Sequence, residues 1–119
     1  MLLKIIYIDD EPDLCEVFED NFATDEIEVS AYSDVSLGLS SIQSDTPDLL
    51  FLDYRLPNTT GDELAKQVSS NIPKALITGD LDVKLNSSFV RIFSKPFNFA
   101  EMERFIQSYL DEKKKNQSS

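Results

Sequence analysis

Residues 3–10, Leu3-Lys4-Ile5-Ile6-Tyr7-Ile8-Asp9-Asp10, decide the fold of this chain. The part before the aspartates has the length of a strand and is apolar except for one lysine. A strand without regular polar alternation is buried on both faces, as parallel strands between layers of helices are. The stretch therefore predicts an inner strand of a parallel sheet that ends on two adjacent carboxylates.

Three later apolar runs also lead to a polar side chain. They are Leu49 to Leu52 before Asp53, Ala75 to Ile77 before Thr78, and Val90 to Phe93 just before Lys95. The carboxyl ends of parallel strands share one edge of the sheet, and open α/β sheets bind ligands at that edge. We therefore expect the carboxylates, the hydroxyl and the ammonium to form one site.

Helical patterns fill the intervals, and a short alternating run at residues 27–31 predicts one more strand. The helices follow Pro12, Ser33 or Asp34, Gly61, and Asn98. This alternation predicts the α/β class, with a single doubly wound parallel sheet of five strands and helices on both faces. The domain is predicted to span residues 1–111, and residues 112–119 to form a polar, frayed tail.

Composition narrows the possible partners. The 119 residues suffice for one domain, and a formal net charge of −11 argues against direct binding to nucleic acid. Cys15 is the one cysteine in the sequence, so no internal disulfide can form and a reducing, cytoplasmic setting is expected. No apolar run approaches the length that crosses a membrane, so no membrane association is expected.

The predicted site gathers three carboxylates, those of Asp9, Asp10 and Asp53. Carboxylates at one point repel one another unless a cation lies among them. Mg²⁺ prefers oxygen ligands and needs only one or two carboxylates plus a phosphate oxygen. An aspartate can also act as a nucleophile toward phosphorus. The residues therefore predict a Mg²⁺ site at which an aspartyl-phosphate can form.

These signals, in this order, resemble those of the receiver domain of two-component response regulators. They are Asp9-Asp10 after the first strand, Asp53-x-x-x-Pro57-x-x-x-Gly61 after the third, Thr78-Gly79 after the fourth and Lys95-Pro96-Phe97 after the fifth. The resemblance covers nearly the whole chain. It implies a flavodoxin-like sheet with the strand order 2-1-3-4-5.

The resemblance implies a set of metal ligands. Asp10 and Asp53 would bind Mg²⁺ directly, and Asp9 would act mainly through water. Arg55 would offer its backbone carbonyl, so its side-chain type would matter little for that role.

The resemblance also implies the roles of the groups around the phosphoryl group. Asp53 would be the phospho-acceptor, and Thr78 would hydrogen-bond a phosphate oxygen. Lys95 would pair with the carboxylate before transfer and with the phosphoryl group after it. The bond between Lys95 and Pro96 resembles a cis peptide bond of the family.

A receiver domain implies a signalling switch. It would receive its phosphoryl group from a histidine kinase or a histidine phosphotransferase and act on a downstream protein partner. It would not be an enzyme in the usual sense, since it would catalyse only its own phosphorylation and dephosphorylation.

Three features depart from the family pattern. Ile92 stands where the family has an aromatic residue, and Phe93 should point to the opposite face of the strand. The segment from Thr78 to Lys95 is short, which predicts a fourth helix that is shortened or absent. Residues 79–88 are expected to form an irregular, mobile loop, and the third helix is expected to be trimmed.

Two other functions share this pattern of residues. A binding module of the same fold could work without phosphorylation, which the missing aromatic residue favours. A Mg²⁺-dependent phosphatase could also use an aspartate nucleophile. Such enzymes usually carry a second aspartate two residues later, where this chain has Arg55.

Overall fold

The computed structural model describes residues 2–80 and 82–117 and shows a parallel sheet of five strands with helices on both faces. The strands are β1 (Leu3–Ile8), β2 (Ile27–Tyr32), β3 (Leu49–Asp53), β4 (Arg55–Leu56), β5 (Thr59–Thr60), β6 (Lys74–Thr78) and β7 (Arg91–Ser94). The helices are α1 (Pro12–Phe22), α2 (Val35–Ser44), α3 (Gly61–Ala65) and α4 (Phe99–Gln117). The large sheet has the order β2-β1-β3-β6-β7, while β4 and β5 pair separately. Because β6 and β7 are the fourth and fifth strands of the large sheet in chain order, this arrangement confirms the predicted order 2-1-3-4-5.

Strand β1 is an inner strand, between β2 and β3, as its apolar sequence predicts. Leu3, Ile5 and Tyr7 lie in a core shared with α1 and α4, whereas Ile6 and Ile8 lie in a second core shared with α2 and α3. Side chains alternate between the two faces of a strand, so burial on both faces calls for apolar residues at successive positions, as at residues 5–8.

The pairing of the strands places the predicted site residues together. Ile8 pairs with Leu52, so the residues that follow them, Asp9 and Asp53, lie next to each other. Thr78 is the last residue of β6 and pairs with Ser94, which directly precedes Lys95. All four polar residues therefore meet at the carboxyl edge of the sheet, as predicted.

The connection between β6 and β7 contains no helix within residues 79–80 and 82–90, which confirms that the fourth helix of the family is absent here. Leu81 lies outside the described residues. The connection is anchored at its far end, because the carboxylate of Asp62 accepts hydrogen bonds from the backbone N–H groups of Asn86 and Ser87. Leu85 and Phe89 also pack against the core that α2 and α3 share.

The prediction for the third helix is confirmed, whereas that for the C-terminal residues is wrong. Helix α3 has five residues, as expected for a trimmed third helix. Helix α4, in contrast, continues through Gln117, although a frayed tail was expected from residue 112. The ammonium of Lys113 holds this last part in place by donating to the carbonyl of Leu2 and to Asp48. Residues 118 and 119 of the predicted tail lie outside the described part.

Lysines in the last turn suit the negative end of the helix dipole, which helps to explain why the polar sequence stays helical. Within residues 2–80 and 82–117, no helix combines the length and the hydrophobicity that are needed to span a membrane.

Candidate functional site

A cleft opens at the carboxyl edge of the sheet, and the predicted site residues meet there. Its lining consists of Asp10, Glu11, Asp53, Arg55, Thr78, Gly79, Asp80 and Lys95. Asp9 lies beneath the cleft floor and is 0 % exposed. Every site residue that the sequence predicted is therefore in or directly under this cleft.

The acidic residues form a close cluster. One carboxylate oxygen each from Asp9, Asp10 and Asp53 lies within 4.8 Å of the other two. Asp53 is 4 % exposed, and Asp10 is exposed at the cleft mouth. Oxygen donors at this spacing, one of them open to solvent, suit a divalent cation such as Mg²⁺.

Lys95 is the ammonium that faces the cluster. Its Nζ lies 2.8 Å from Oδ1 of Asp53, 3.4 Å from Oδ2 of Asp9 and 3.4 Å from Oε2 of Glu11. The backbone N–H of Lys95 donates to the carbonyl of Thr78, and the peptide bond between Lys95 and Pro96 is cis, as the resemblance implied. One ammonium thus serves three carboxylates.

Burial and neighbouring carboxylates set the electrostatics of Asp53. Burial raises the pKa of Asp53 to about 6, and the carboxylates of Asp9 and Asp10 act in the same direction. The hydrogen bond from Lys95 lowers the pKa of Asp53 but does not outweigh these effects. Burial disfavours the Lys95 ammonium and is the largest single influence on it, but the bond to Asp53 and the negative charges of Asp9, Asp53 and Glu11 together outweigh burial and raise the pKa of Lys95. A cation would relieve the repulsion, so the donor set fits Mg²⁺.

Asp9 is held by two donors that the sequence did not reveal. The hydroxyl of Tyr7 donates to Oδ2 of Asp9, and the backbone N–H of Glu11 donates to Oδ1 at 3.0 Å. Tyr7 precedes Asp9 by two residues, so both side chains leave the chain on the same side. That spacing was the available signal for Tyr7. The carboxylate of Glu11 also approaches Lys95, at 3.4 Å.

Thr78 is nearly buried at the end of β6, and its hydroxyl oxygen accepts a hydrogen bond of 3.0 Å from the backbone N–H of Asp80. A hydroxyl that accepts one bond can still donate its own proton. The hydroxyl of Thr78 is thus able to donate to an oxygen in the cleft.

Arg55 and Asp80 form an ion pair at the cleft mouth. Nε of Arg55 lies 2.8 Å from Oδ2 of Asp80, and the Arg55 side chain is largely exposed. The pair joins the residue two positions after Asp53 to the residue two positions after Thr78. Both residues line the cleft, so the pair lies beside its opening.

Gly61, the glycine of the predicted motif, has a steric role. A Cβ atom at this position would lie 2.5 Å from the backbone oxygen of Asp53. The start of α3 can approach the end of β3 this closely only with glycine.

The two residues before Ser94 lie on opposite faces of β7, as predicted. Ile92 is 49 % exposed, whereas Phe93 is 3 % exposed and packs beside Phe51 in the core. Ile92 has no aromatic ring to turn toward Thr78, and Phe93 faces away.

The family of this chain follows from comparison with known proteins. The family model of the response regulator receiver domain matches residues 5–107. This chain belongs to the response regulator receiver domain family. Receiver domains act in two-component signalling, where they interact with histidine kinases and phosphotransferases, and they generally bind Mg²⁺.

Three curated relatives illustrate the contexts of similar receiver domains. Response regulator ArlR of Staphylococcus saprophyticus is 29 % identical over 92 % of this chain and 53 % of its own length. DNA-binding response regulator MtrA of Mycolicibacterium smegmatis is 25 % identical over 92 % of this chain and 51 % of its own length. Hybrid signal transduction histidine kinase D of Dictyostelium discoideum is 25 % identical over 95 % of this chain but only 8 % of its own length. The receiver domain described here thus spans about half of each of the first two relatives.

Solved structures show the same fold. A CheY-like receiver domain from Methanospirillum hungatei superimposes with a TM-score of 0.85 at 23 % identity, covering 98 % of this chain and 99 % of that chain. A CheY-like receiver domain from Methylobacillus flagellatus gives a TM-score of 0.79 at 21 % identity, covering 92 % and 99 %.

Proposed function

We propose that this receiver domain is a phospho-acceptor switch of a two-component phosphorelay, in which Asp53 receives a phosphoryl group with the help of Mg²⁺. The donor would be the phospho-histidine of a histidine kinase or a histidine phosphotransferase. The observation that carries this proposal is the contact of 2.8 Å between Lys95 and Asp53 within an acidic cluster that opens into a cleft.

Asp53 fits the acceptor role better than the other carboxylates. Asp9 is fully buried, and donors already engage both of its oxygens. Asp10 is exposed, and no ion pair joins it to a lysine or arginine among residues 2–80 and 82–117. Asp53 combines an opening to the cleft with a cation at hydrogen-bonding distance.

In the transfer step, an oxygen of Asp53 would form a bond to phosphorus as the bond between phosphorus and the histidine nitrogen breaks. The imidazole would leave as the neutral base after taking up a proton. Such a step requires mainly positioning and charge stabilisation. The ammonium of Lys95 would pair with the phosphoryl oxygens after transfer, and the hydroxyl of Thr78 would donate to one of these oxygens.

Asp10 and Asp53 would hold Mg²⁺ directly, Asp9 through water, and Arg55 through its backbone carbonyl. When bound, the ion supplies positive charge beside the transferred oxygens. Asp9 suits an indirect role, because its carboxylate is buried and already bonded on both oxygens.

The domain would catalyse only its own phosphorylation and dephosphorylation, in the cytoplasm. A phosphatase with an aspartate nucleophile needs an acid/base two residues later, and Arg55 cannot serve in that role. Its guanidinium instead binds Asp80. Output would pass to a downstream protein partner.

A mass measurement tests the proposal. After incubation with Mg²⁺ and acetyl phosphate, we expect the wild type to gain the mass of one phosphoryl group and Asp53→Asn to gain none. Asp25→Asn is a matched control, because this exposed aspartate lies in the turn before β2, at the opposite edge of the sheet. Equal labelling of wild type and Asp53→Asn would refute the assignment.

A phosphorylation-independent interaction module is the second candidate. The exposure of Ile92 and the burial of Phe93 favour it, because neither residue can make the aromatic movement that reports phosphorylation in the family. The same experiment separates the two functions, since such a module would show no mass increase with any phosphodonor.

A further inference from the structure

Tyr7 is a buried tyrosine whose hydroxyl reaches the acidic cluster from the core. It is 0 % exposed, and its hydroxyl donates to Oδ2 of Asp9. The ring stacks on Phe18 with centroids 4.4 Å apart and meets the edge of Phe97 at 6.2 Å. Packing on two sides fixes the ring, so the hydroxyl has a fixed place under Asp9.

Oδ2 of Asp9 has two cationic or polar neighbours, the hydroxyl of Tyr7 and the ammonium of Lys95 at 3.4 Å. Lys95 is nearer to Asp53, at 2.8 Å. Two buried carboxylates therefore compete for one ammonium. A buried carboxylate oxygen requires a donor, and Tyr7 supplies one to Asp9 without using Lys95.

We propose that Tyr7 is a positioning residue for phosphoryl acceptance. By satisfying Oδ2 of Asp9, it leaves the ammonium of Lys95 on Asp53, where the incoming phosphoryl group would need it. This inference rests on the proposed function for its biological meaning. The contacts that it explains are those of Asp9 with Tyr7 and of Lys95 with Asp9 and Asp53.

Removal of the Tyr7 hydroxyl has a defined structural consequence. In Tyr7→Phe the ring still fills its place against Phe18, but Oδ2 of Asp9 keeps Lys95 as its one remaining donor among the contacts described. The ammonium is then drawn toward Asp9, and its contact with Asp53 lengthens.

The position of the ammonium can be measured directly by NMR of the side-chain NH3 groups of protein labelled with ¹⁵N-lysine, without Mg²⁺. Lys95→Arg identifies the Lys95 signal, and Asp53→Asn shows how far the signal moves when its partner loses charge. We expect Asp53→Asn to shift the Lys95 NMR signal clearly less when the protein also carries Tyr7→Phe than when it does not. Tyr32→Phe is the matched control, because it removes a hydroxyl that binds Ser41 and should leave the Lys95 signal unchanged.

A second variant tests the competition between Asp9 and Asp53 for the Lys95 ammonium by changing Asp9 itself. Asp9→Asn removes the rival charge, so the Lys95 signal should move in the direction opposite to that seen in Tyr7→Phe. In the double variant Tyr7→Phe/Asp9→Asn, the ammonium should return to Asp53, and the Lys95 signal should move back toward its wild-type position. If Tyr7→Phe fails to fold, Asp9→Asn alone decides, and an unmoved Lys95 signal would overturn the proposal.

Phosphorylation kinetics give a functional readout. With Mg²⁺ and acetyl phosphate, we expect Tyr7→Phe to be labelled about three- to tenfold more slowly than Tyr32→Phe, the range to which the loss of one hydrogen bond corresponds. Equal rates together with an unchanged Lys95 signal would overturn the proposal. A wild type that accepts no phosphoryl group would instead refute the proposed function, while the NMR signals would still decide the role of Tyr7.

Discussion

The carboxylate of Asp62 accepts hydrogen bonds from the backbone N–H of Asn86 at 3.1 and 3.0 Å, and so ties the loop between β6 and β7 to the start of α3. The N–H of Ser87 donates to the same carboxylate at 2.9 Å. A helix would satisfy these N–H groups internally, whereas this loop satisfies them with a side chain. Asp62 is buried, so the bonds are shielded from competing water.

Asp62→Asn should lower the free energy of unfolding at neutral pH by about 1.5 kcal/mol, the usual contribution of a hydrogen bond to a charged group. Burial would raise the pKa of Asp62, but the bonds from Asn86 and Ser87 outweigh it and lower the pKa. A carboxyl with a depressed folded-state pKa stabilises the fold above its unfolded pKa of about 4, and this contribution is lost as the pH falls through the folded value.

The difference between wild type and Asp62→Asn should therefore be constant from neutral pH to about pH 5 and shrink below about pH 4. Urea unfolding curves over this range measure it. A difference that is the same at pH 3 and at pH 7 would argue against an ionised Asp62 as the anchor.

Phosphorylation should change the order of the loop rather than rotate an aromatic side chain. The hydroxyl oxygen of Thr78 accepts a bond from the N–H of Asp80. It can donate to the cleft from its present position without losing this bond, but movement of the side chain toward a phosphoryl group would lengthen the bond. The start of the loop would then be released, as in other order–disorder switches. Amide hydrogen exchange across residues 82–88, with and without beryllofluoride, tests this.

Asp53→Asn treated with beryllofluoride is the control for the exchange experiment. Protection of residues 82–88 that is equal in both states of the wild type would show that the loop does not respond to the acceptor site.

Asp10→Asn should raise the stability of the metal-free domain by about 1 kcal/mol, because it removes one of three carboxylates that repel one another. The same change should weaken Mg²⁺ binding. Thermal unfolding without metal and calorimetric titration with Mg²⁺ measure the two effects. A lower melting temperature combined with unchanged Mg²⁺ affinity would speak against a shared site, and Asp25→Asn serves as the control.

The ion pair between Arg55 and Asp80 should slow hydrolysis of the aspartyl-phosphate, since both side chains line the cleft through which water must enter. An exposed pair contributes only about 0–1 kcal/mol. We therefore expect Arg55→Ala and Asp80→Ala each to speed dephosphorylation by about two- to fivefold.

Loss of radiolabel from the phosphorylated domain measures this rate. Lys66→Ala, which breaks an exposed ion pair with Glu63 on α3, is the matched control. If both cleft variants keep the wild-type rate, the pair does not act as a barrier to water.

The polar edge of the sheet was predictable because it depends on local patterns. An apolar run before Asp9 or Asp53 indicates a buried parallel strand, and parallel strands bring their carboxyl ends together. The opposite orientations of Ile92 and Phe93 followed from the period of a strand in the same way. The fold and the members of the site thus needed no knowledge of distant contacts.

The contacts that tune the site depend on residues far apart in sequence or on the choice of side-chain partners. The hydrogen bond from Asn86 to Asp62 joins residues that are 24 positions apart, and no local sequence pattern predicts it. The helical end of α4 depends on Lys113 reaching Asp48, which again requires the folded structure. The sequence pattern groups Tyr7 with the apolar residues of β1, and only the structure shows that its hydroxyl donates to Asp9.

Locating the phosphoryl group on the chain tests the acceptor role of Asp53 most directly. The wild type is phosphorylated with Mg²⁺ and acetyl phosphate and then reduced with borohydride, which converts an aspartyl-phosphate to homoserine. Tandem mass spectrometry of the peptides shows which aspartate has changed. We expect homoserine at position 53; homoserine at position 9 or 10, with none at 53, would contradict the acceptor role of Asp53.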